Sequence, residues 1–131
     1  MLAIHEKDVP GVSVPGRVLH WVVSREQGLP SDGCTFCVMY VQPKQTVSPA
    51  HSHPDCEELI YVVSGSGHVY VDGEIVAVRE GSAVLFSKDS VHMVRNSGDT
   101  EMKVACFFSE ATNLTLYEFH PNVLFDEGVY R

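Results

Sequence analysis

The chain has no apolar run approaching the roughly 20 residues needed to cross a bilayer, which argues against a helical membrane span. It is also short of basic charge: nine Lys and Arg stand against seventeen Asp and Glu, a formal net charge of −8. Without a basic surface, non-specific nucleic-acid binding and docking to an anionic membrane lose their main driving force. The few basic residues are scattered and form no cluster. The first ten residues lack the basic start and apolar centre of a signal peptide, so a cytoplasmic location is the expectation. Helical periodicity is scarce, and no repeat, low-complexity tract or charge block suggests a linker. Four cysteines are too few for a disulfide framework in 131 residues. Cys34 and Cys37 have C-x-x-C spacing, but no second pair completes a zinc site, and Val38-Met39-Tyr40-Val41 continues as strand where a redox motif needs a helix. Buried structural thiols are therefore expected.

What is present is a succession of short β-rich segments punctuated by Gly, Pro and Asp. Strands are predicted over residues 17–24, 34–42, 58–64, 68–71, 74–78, 83–86, 91–95, 102–109 and 114–119. Asp72-Gly73 is a strong hairpin signal between the predicted strands 68–71 and 74–78. Such spacing predicts one all-β domain over residues 1–131, of sandwich or barrel type.

Three of the seven histidines fall in an informative pattern. His51 and His53, at i and i+2, share one face of an extended segment. Glu58 would have the opposite parity on a regular strand, but Pro54-Asp55 permits a bend that returns its carboxylate to the same side. His92 comes from a later strand. Glu57 is the alternative carboxylate. Three imidazoles and one carboxylate, without thiolate, suit one divalent transition metal ion among Fe, Mn, Zn, Ni, Co and Cu. Such a set leaves coordination positions open for water or substrate.

These residues carry a family resemblance. His51-x-His53-x4-Glu58-x6-Gly65 resembles the first motif of the cupin superfamily, and Gly81-x5-Ser87-x-Asp89-x2-His92-x3-Asn96 resembles the second. Ser87 stands where the family usually has Pro, Asp89 where it often has Gly, and Gln45 six positions before His51 where Gly is expected. These departures concern backbone turns, and all four ligand positions are filled. The resemblance implies a cupin jelly-roll barrel (a double-stranded β-helix) with core motifs within residues 45–96. It further implies a metal held by His51, His53, Glu58 and His92 near the open end, and a homodimer paired through sheet faces.

Strand alternation nominates a lining. With Glu58 inward, Ile60 and Val62 follow; with His92 inward, Val94 follows. Tyr40, Phe86, Phe107 and Phe108 are further candidates. Arg95 has the parity opposite to His92 and is expected to face away, and no inward Arg or Lys is evident, which counts against strongly anionic substrates. Asn96 is expected to support a turn. The function so implied is a metal-dependent enzyme of dioxygenase, lyase or isomerase type acting on a small organic molecule. A non-catalytic small-molecule-binding module is the alternative.

Overall fold

The computed structural model describes residues 2–125. Among these residues twelve strands follow one another: β1 (Val12–Val14), β2 (Arg17–Ser24), β3 (Leu29–Pro30), β4 (Thr35–Val41), β5 (Ala50–Ser52), β6 (Glu58–Ser64), β7 (Ser66–Val71), β8 (Glu74–Arg79), β9 (Ala83–Phe86), β10 (His92–Arg95), β11 (Met102–Phe108) and β12 (Glu118–His120). Short 3-10 turns occupy Glu6–Asp8 and Leu114–Leu116. The strands form two sheets, one in the order β1-β2-β4-β11-β6-β9 with β3 beside β2, the other in the order β12-β5-β10-β7-β8.

Most predicted strands are found within a residue or two of their expected limits. The segment 114–119 differs: it opens with the turn Leu114–Leu116, where Asn113 accepts a hydrogen bond from the Thr115 backbone N–H, and only Glu118–His120 pairs as strand. An Asn side chain that captures a nearby N–H favours a turn over a ladder. β1 and β5 were missed because three residues carry too little alternation to stand out.

Alternation explains the layering. In β6, Glu58, Ile60 and Val62 are buried while Leu59, Tyr61 and Val63 are exposed. β4 and β11 pair residue for residue, so Cys37, Met39 and Val41 and their partners Cys106, Val104 and Met102 share the inner face. Together with Leu19, Trp21, Val69, Phe86 and Phe108 they form the core between the sheets. A buried side chain such as Phe86 or Phe108 contributes about 2–3 kcal/mol by leaving water. A smaller cluster lies on the outer side of the second sheet, where Phe125 and Val123 pack against Ala50, Met93 and Tyr70. Met93 is thus buried despite pointing away from the barrel interior.

Two backbone positions hold the motif in place. Gly65 alone separates β6 from β7 and carries the chain from one sheet to the other at φ +87°. A Cβ there would lie 2.9 Å from the Met102 Cα, so the tight crossing requires glycine. Asp89 adopts φ +66°, a left-handed conformation that Gly takes freely and Asp tolerates. The Asp89 backbone N–H donates to the His53 carbonyl at 3.1 Å, tying the loop before His92 to the His51–His53 segment.

Candidate metal centre

The four motif residues converge. His51, His53, Glu58 and His92 are all buried, and each offers one donor atom such that these atoms lie within 4.8 Å of one another. Strand register produces this. His51 on β5 stands directly opposite His92 on β10 in the second sheet, whereas Glu58 opens β6 in the first. His53 lies just past β5, before the irregular stretch containing Pro54 and Asp55. The group therefore bridges both sheets. Glu57 is exposed, and its backbone N–H is bonded to Ser109 Oγ, which leaves Glu58 as the carboxylate in the cluster.

The imidazoles are oriented from behind. His51 and His92 each donate Nδ1–H to a backbone carbonyl, Pro49 at 3.3 Å and Ser90 at 3.0 Å. This turns their Nε2 atoms toward the centre, the arrangement that outer-shell bonds impose on metal-binding histidines. Glu58 Oε1 accepts from His53 Nε2 at 2.8 Å and from His92 Nε2 at 3.2 Å. Each of those contacts needs a proton on the ring nitrogen, and a cation placed between the groups would take over that role. His53 Nδ1 is buried without a hydrogen-bond partner. A convergent set of three imidazoles and one carboxylate, with an unsatisfied ring nitrogen among them, fits a divalent transition ion.

Ring packing fixes these side chains further. Phe86 stacks on His92 with centroids 3.8 Å apart and planes at 6°, and Tyr117 stacks on His51 at 5.1 Å and 11°. Phe108 meets His53 edge-on at 5.2 Å. Burial and the neighbouring His92 push the His51 pKa well down, favouring the neutral ring that can donate a lone pair. Burial pushes the Glu58 carboxyl up, yet the hydrogen bonds from His53 and His92 outweigh this and leave its pKa lowered. Burial, reinforced by the Glu58 charge, raises the Tyr117 phenol well above its usual value, so it remains an O–H donor.

Three of the four donors, His51, Glu58 and His92, line a small cavity of about 20 Å³, enough for an ion or about one water. Its walls include Val94, which alternation nominates, and Phe86 and Phe108 from the further candidates. Ile60 and Val62 are buried in the core but do not line it, because each strand residue advances about 3.3 Å and carries them deeper along the barrel. Tyr40 is a correction. With Cys37, Met39 and Val41 inward, its parity turns it to the outer surface, where its hydroxyl bonds Glu6 and its ring lies beneath Lys103. Phe107 is likewise on the outer face. Arg95 does not line the cavity, and its Nη1 donates to the Lys44 carbonyl and Thr46 Oγ1. Asn96 supports its turn as expected, bonding Val41, Thr100 and Gly98.

An inward cation, not evident from the sequence, is present. Arg17, the first residue of β2, is 8% exposed and lines the cavity together with Glu58, His51 and Tyr117. Burial lowers its pKa, against an opposing pull from Tyr117 and Glu58. Its shared parity with Leu19 and Trp21 was the available signal. Tyr117 had no such signal, since it follows a turn. Cys37 and Cys106 also line the cavity, whereas Cys34 is only half-buried, contrary to the expectation for all four thiols.

A family model for the Cupin domain matches residues 37–108, more than half of the chain. The chain belongs to the cupin family, and its two sheets form the double-stranded β-helix of that family. It is 37% identical over 67 residues to Protein SchB of Streptomyces halstedii, covering 51% of this chain and 48% of that protein. It is 35% identical over 69 residues to Polyketide synthase CurC of Streptomyces cyaneus, covering 53% and 44%. The chain thus spans about half the length of the curated relatives it matches. Among solved structures it resembles the oxalate decarboxylase–formate complex of Lactobacillus farciminis, with a TM-score of 0.77 at 17% identity over 88% of this chain and 34% of the other. At that identity the likeness describes the fold. Among the described residues no helix is long and apolar enough to cross a membrane.

Proposed function

We propose that this cupin is a metal-dependent enzyme acting on a small organic molecule, with His51, His53, Glu58 and His92 as ligands of one divalent transition ion. The observation that carries the reading is the convergence of four buried donor atoms from two sheets within 4.8 Å. A bound ion with open positions supplies Lewis-acid polarisation of a substrate oxygen or a place for dioxygen, which suits dioxygenase, lyase or isomerase chemistry. The chain's own residues hold and orient the site: Phe86, Phe108 and Tyr117 wedge the imidazoles and exclude water, and the Pro49 and Ser90 carbonyls fix two of them. The similarity to an oxalate decarboxylase and to a polyketide synthase protein supports small-molecule chemistry without choosing a reaction.

The small inner cavity favours weighing a second reading, a binding module that holds an effector without turnover. Metal analysis followed by oxygen uptake and product detection on phenolic and keto-acid panels separates the two. Turnover that is lost in His92→Ala supports the enzyme, and stoichiometric binding with no turnover under any metal supports the module.

A homodimer and a cytoplasmic setting belong to the same reading. On the outer face of the first sheet, Phe107, Leu59 and Leu85 line up across β11, β6 and β9, with Tyr61 in the adjacent row. All four are exposed, the kind of contiguous apolar surface that a second copy covers. Four free thiols fit a reducing compartment.

A further inference from the structure

Among the described residues, no carboxylate forms an ion pair with the largely buried Arg17. Its guanidinium offers five N–H donors, and its one hydrogen bond among the described residues runs from Nη1 to the Pro15 carbonyl at 3.1 Å. Holding such a charge largely away from bulk water is unfavourable unless something pairs with it. Glu58 is the nearby candidate, but His53 and His92 already engage its reached oxygen, and a bound cation would draw on the same carboxylate. With a divalent ion in place, the cavity would carry an excess of positive charge that the described side chains do not balance.

Position adds to chemistry. Arg17 lines the inner cavity and also an outer pocket of about 380 Å³ walled by Val14, Pro15, Pro49, Leu114 and Phe119, a size that takes a ring or short hydrocarbon. The inner space of about 20 Å³ has room for little beyond an ion and a water. A ligand reaching the centre would therefore keep its body outside, in a pocket whose surface is almost wholly apolar, and Arg17 is the residue that the two linings share.

We propose that the site takes a small organic acid, whose carboxylate pairs with Arg17 at the inner end of the outer pocket and whose apolar body lies against Leu114, Phe119 and Pro49. This rests on the reading of the histidine cavity as the functional site and narrows its substrate class to carboxylates with a hydrocarbon portion. Arg17 is a specificity-determining residue in this account. The guanidinium fork matches a carboxylate in two parallel hydrogen bonds, which an amide or alcohol of the same shape cannot reproduce.

The test uses the full chain, zinc-loaded and metal-free, titrated calorimetrically with phenylacetate and hexanoate and with their neutral primary amides. The acids are expected to bind at least about tenfold tighter than the amides. Arg17→Gln should remove about that same factor while zinc content stays unchanged, with Arg17→Lys falling between. Equal affinity for acid and amide, undiminished acid binding in Arg17→Gln, or no binding of either acid by the wild type would each overturn the proposal. Should Arg17→Gln fail to fold by circular dichroism, the acid-against-amide comparison on the wild type decides. Failure of the metal reading is seen separately, as a wild type that takes up no zinc whatever its preference among the probes.

Discussion

Replacing Phe86 with Ala probes how far aromatic packing builds the centre. The ring is 1% exposed and lies face to face with His92 at 3.8 Å. Truncating a fully buried Phe removes its transfer free energy and leaves a void, about 3–5 kcal/mol in all. A domain of this length gains roughly 0.3 kcal/mol per kelvin of unfolding entropy near its midpoint, so Phe86→Ala should lower Tm by about 10–17 °C in the metal-free protein. His92 keeps its bond to the Ser90 carbonyl but loses the wall that holds its plane. Metal affinity should therefore fall by about 10–100-fold, the range seen when supporting partners of a ligand are removed. Circular-dichroism melts and a chelator-competition titration read the two effects. A Tm within about 3 °C of wild type would refute the packing argument, since even a well-relaxed Phe site costs more. Unchanged metal affinity with a lowered Tm would show that His92 is positioned from elsewhere.

Other outcomes follow from the same coordinates. Burial pushes the Cys56 thiol up to about 12, and a hydrogen bond to Cys37 together with burial raises Cys106 well above its usual value, so native protein at pH 8 should take up iodoacetamide at Cys34 alone, while denatured protein labels all four by mass spectrometry. Rapid native labelling at Cys37, Cys56 or Cys106 would contradict the buried placement. For Glu6, burial raises the pKa, but Tyr40 and Lys103 lower it more, and the net shift is downward. A depressed carboxyl stabilises above its unfolded pKa and loses that contribution as pH falls through the folded value. Glu6→Gln should therefore destabilise by about 1 kcal/mol at pH 7 in urea melts, and the gap should close on acidification; a gap that widens toward acid would reverse the sign. Leu59→Glu, on the exposed row with Phe107 and Leu85, should shift the sedimentation profile from dimer to monomer without lowering Tm. A wild type that sediments as monomer would remove that interface.

The buried His-His-Glu-His cluster was legible because it is written in short-range spacing. His51-x-His53 needs only strand parity, and Pro54-Asp55 marked the bend that brings Glu58 back. The inner face of β6 was readable for the same reason. Legibility failed where orientation is set by pairing across distant strands. Tyr40 lies outward because β4 pairs with β2 and β11, contacts that local alternation in 34–42, apolar on both faces, does not fix. Arg17 was overlooked because a charged residue opening a strand reads as its solvated end. Tyr117 reaches His51 through the turn at Leu114–Leu116, and such turns leave no periodic trace. The four clustered side chains could be named from sequence, whereas most of the walls could not.

The most direct measurement is the electronic spectrum of the protein titrated with cobalt(II), alongside His92→Ala. The account predicts saturation at one ion per chain with nitrogen and oxygen ligation, no thiolate-to-cobalt charge-transfer band, and loss of the signal in the variant. Cys37 and Cys106 line the same cavity and supply the alternative. A thiolate band, or full cobalt uptake by His92→Ala, would contradict a centre built from His51, His53, Glu58 and His92.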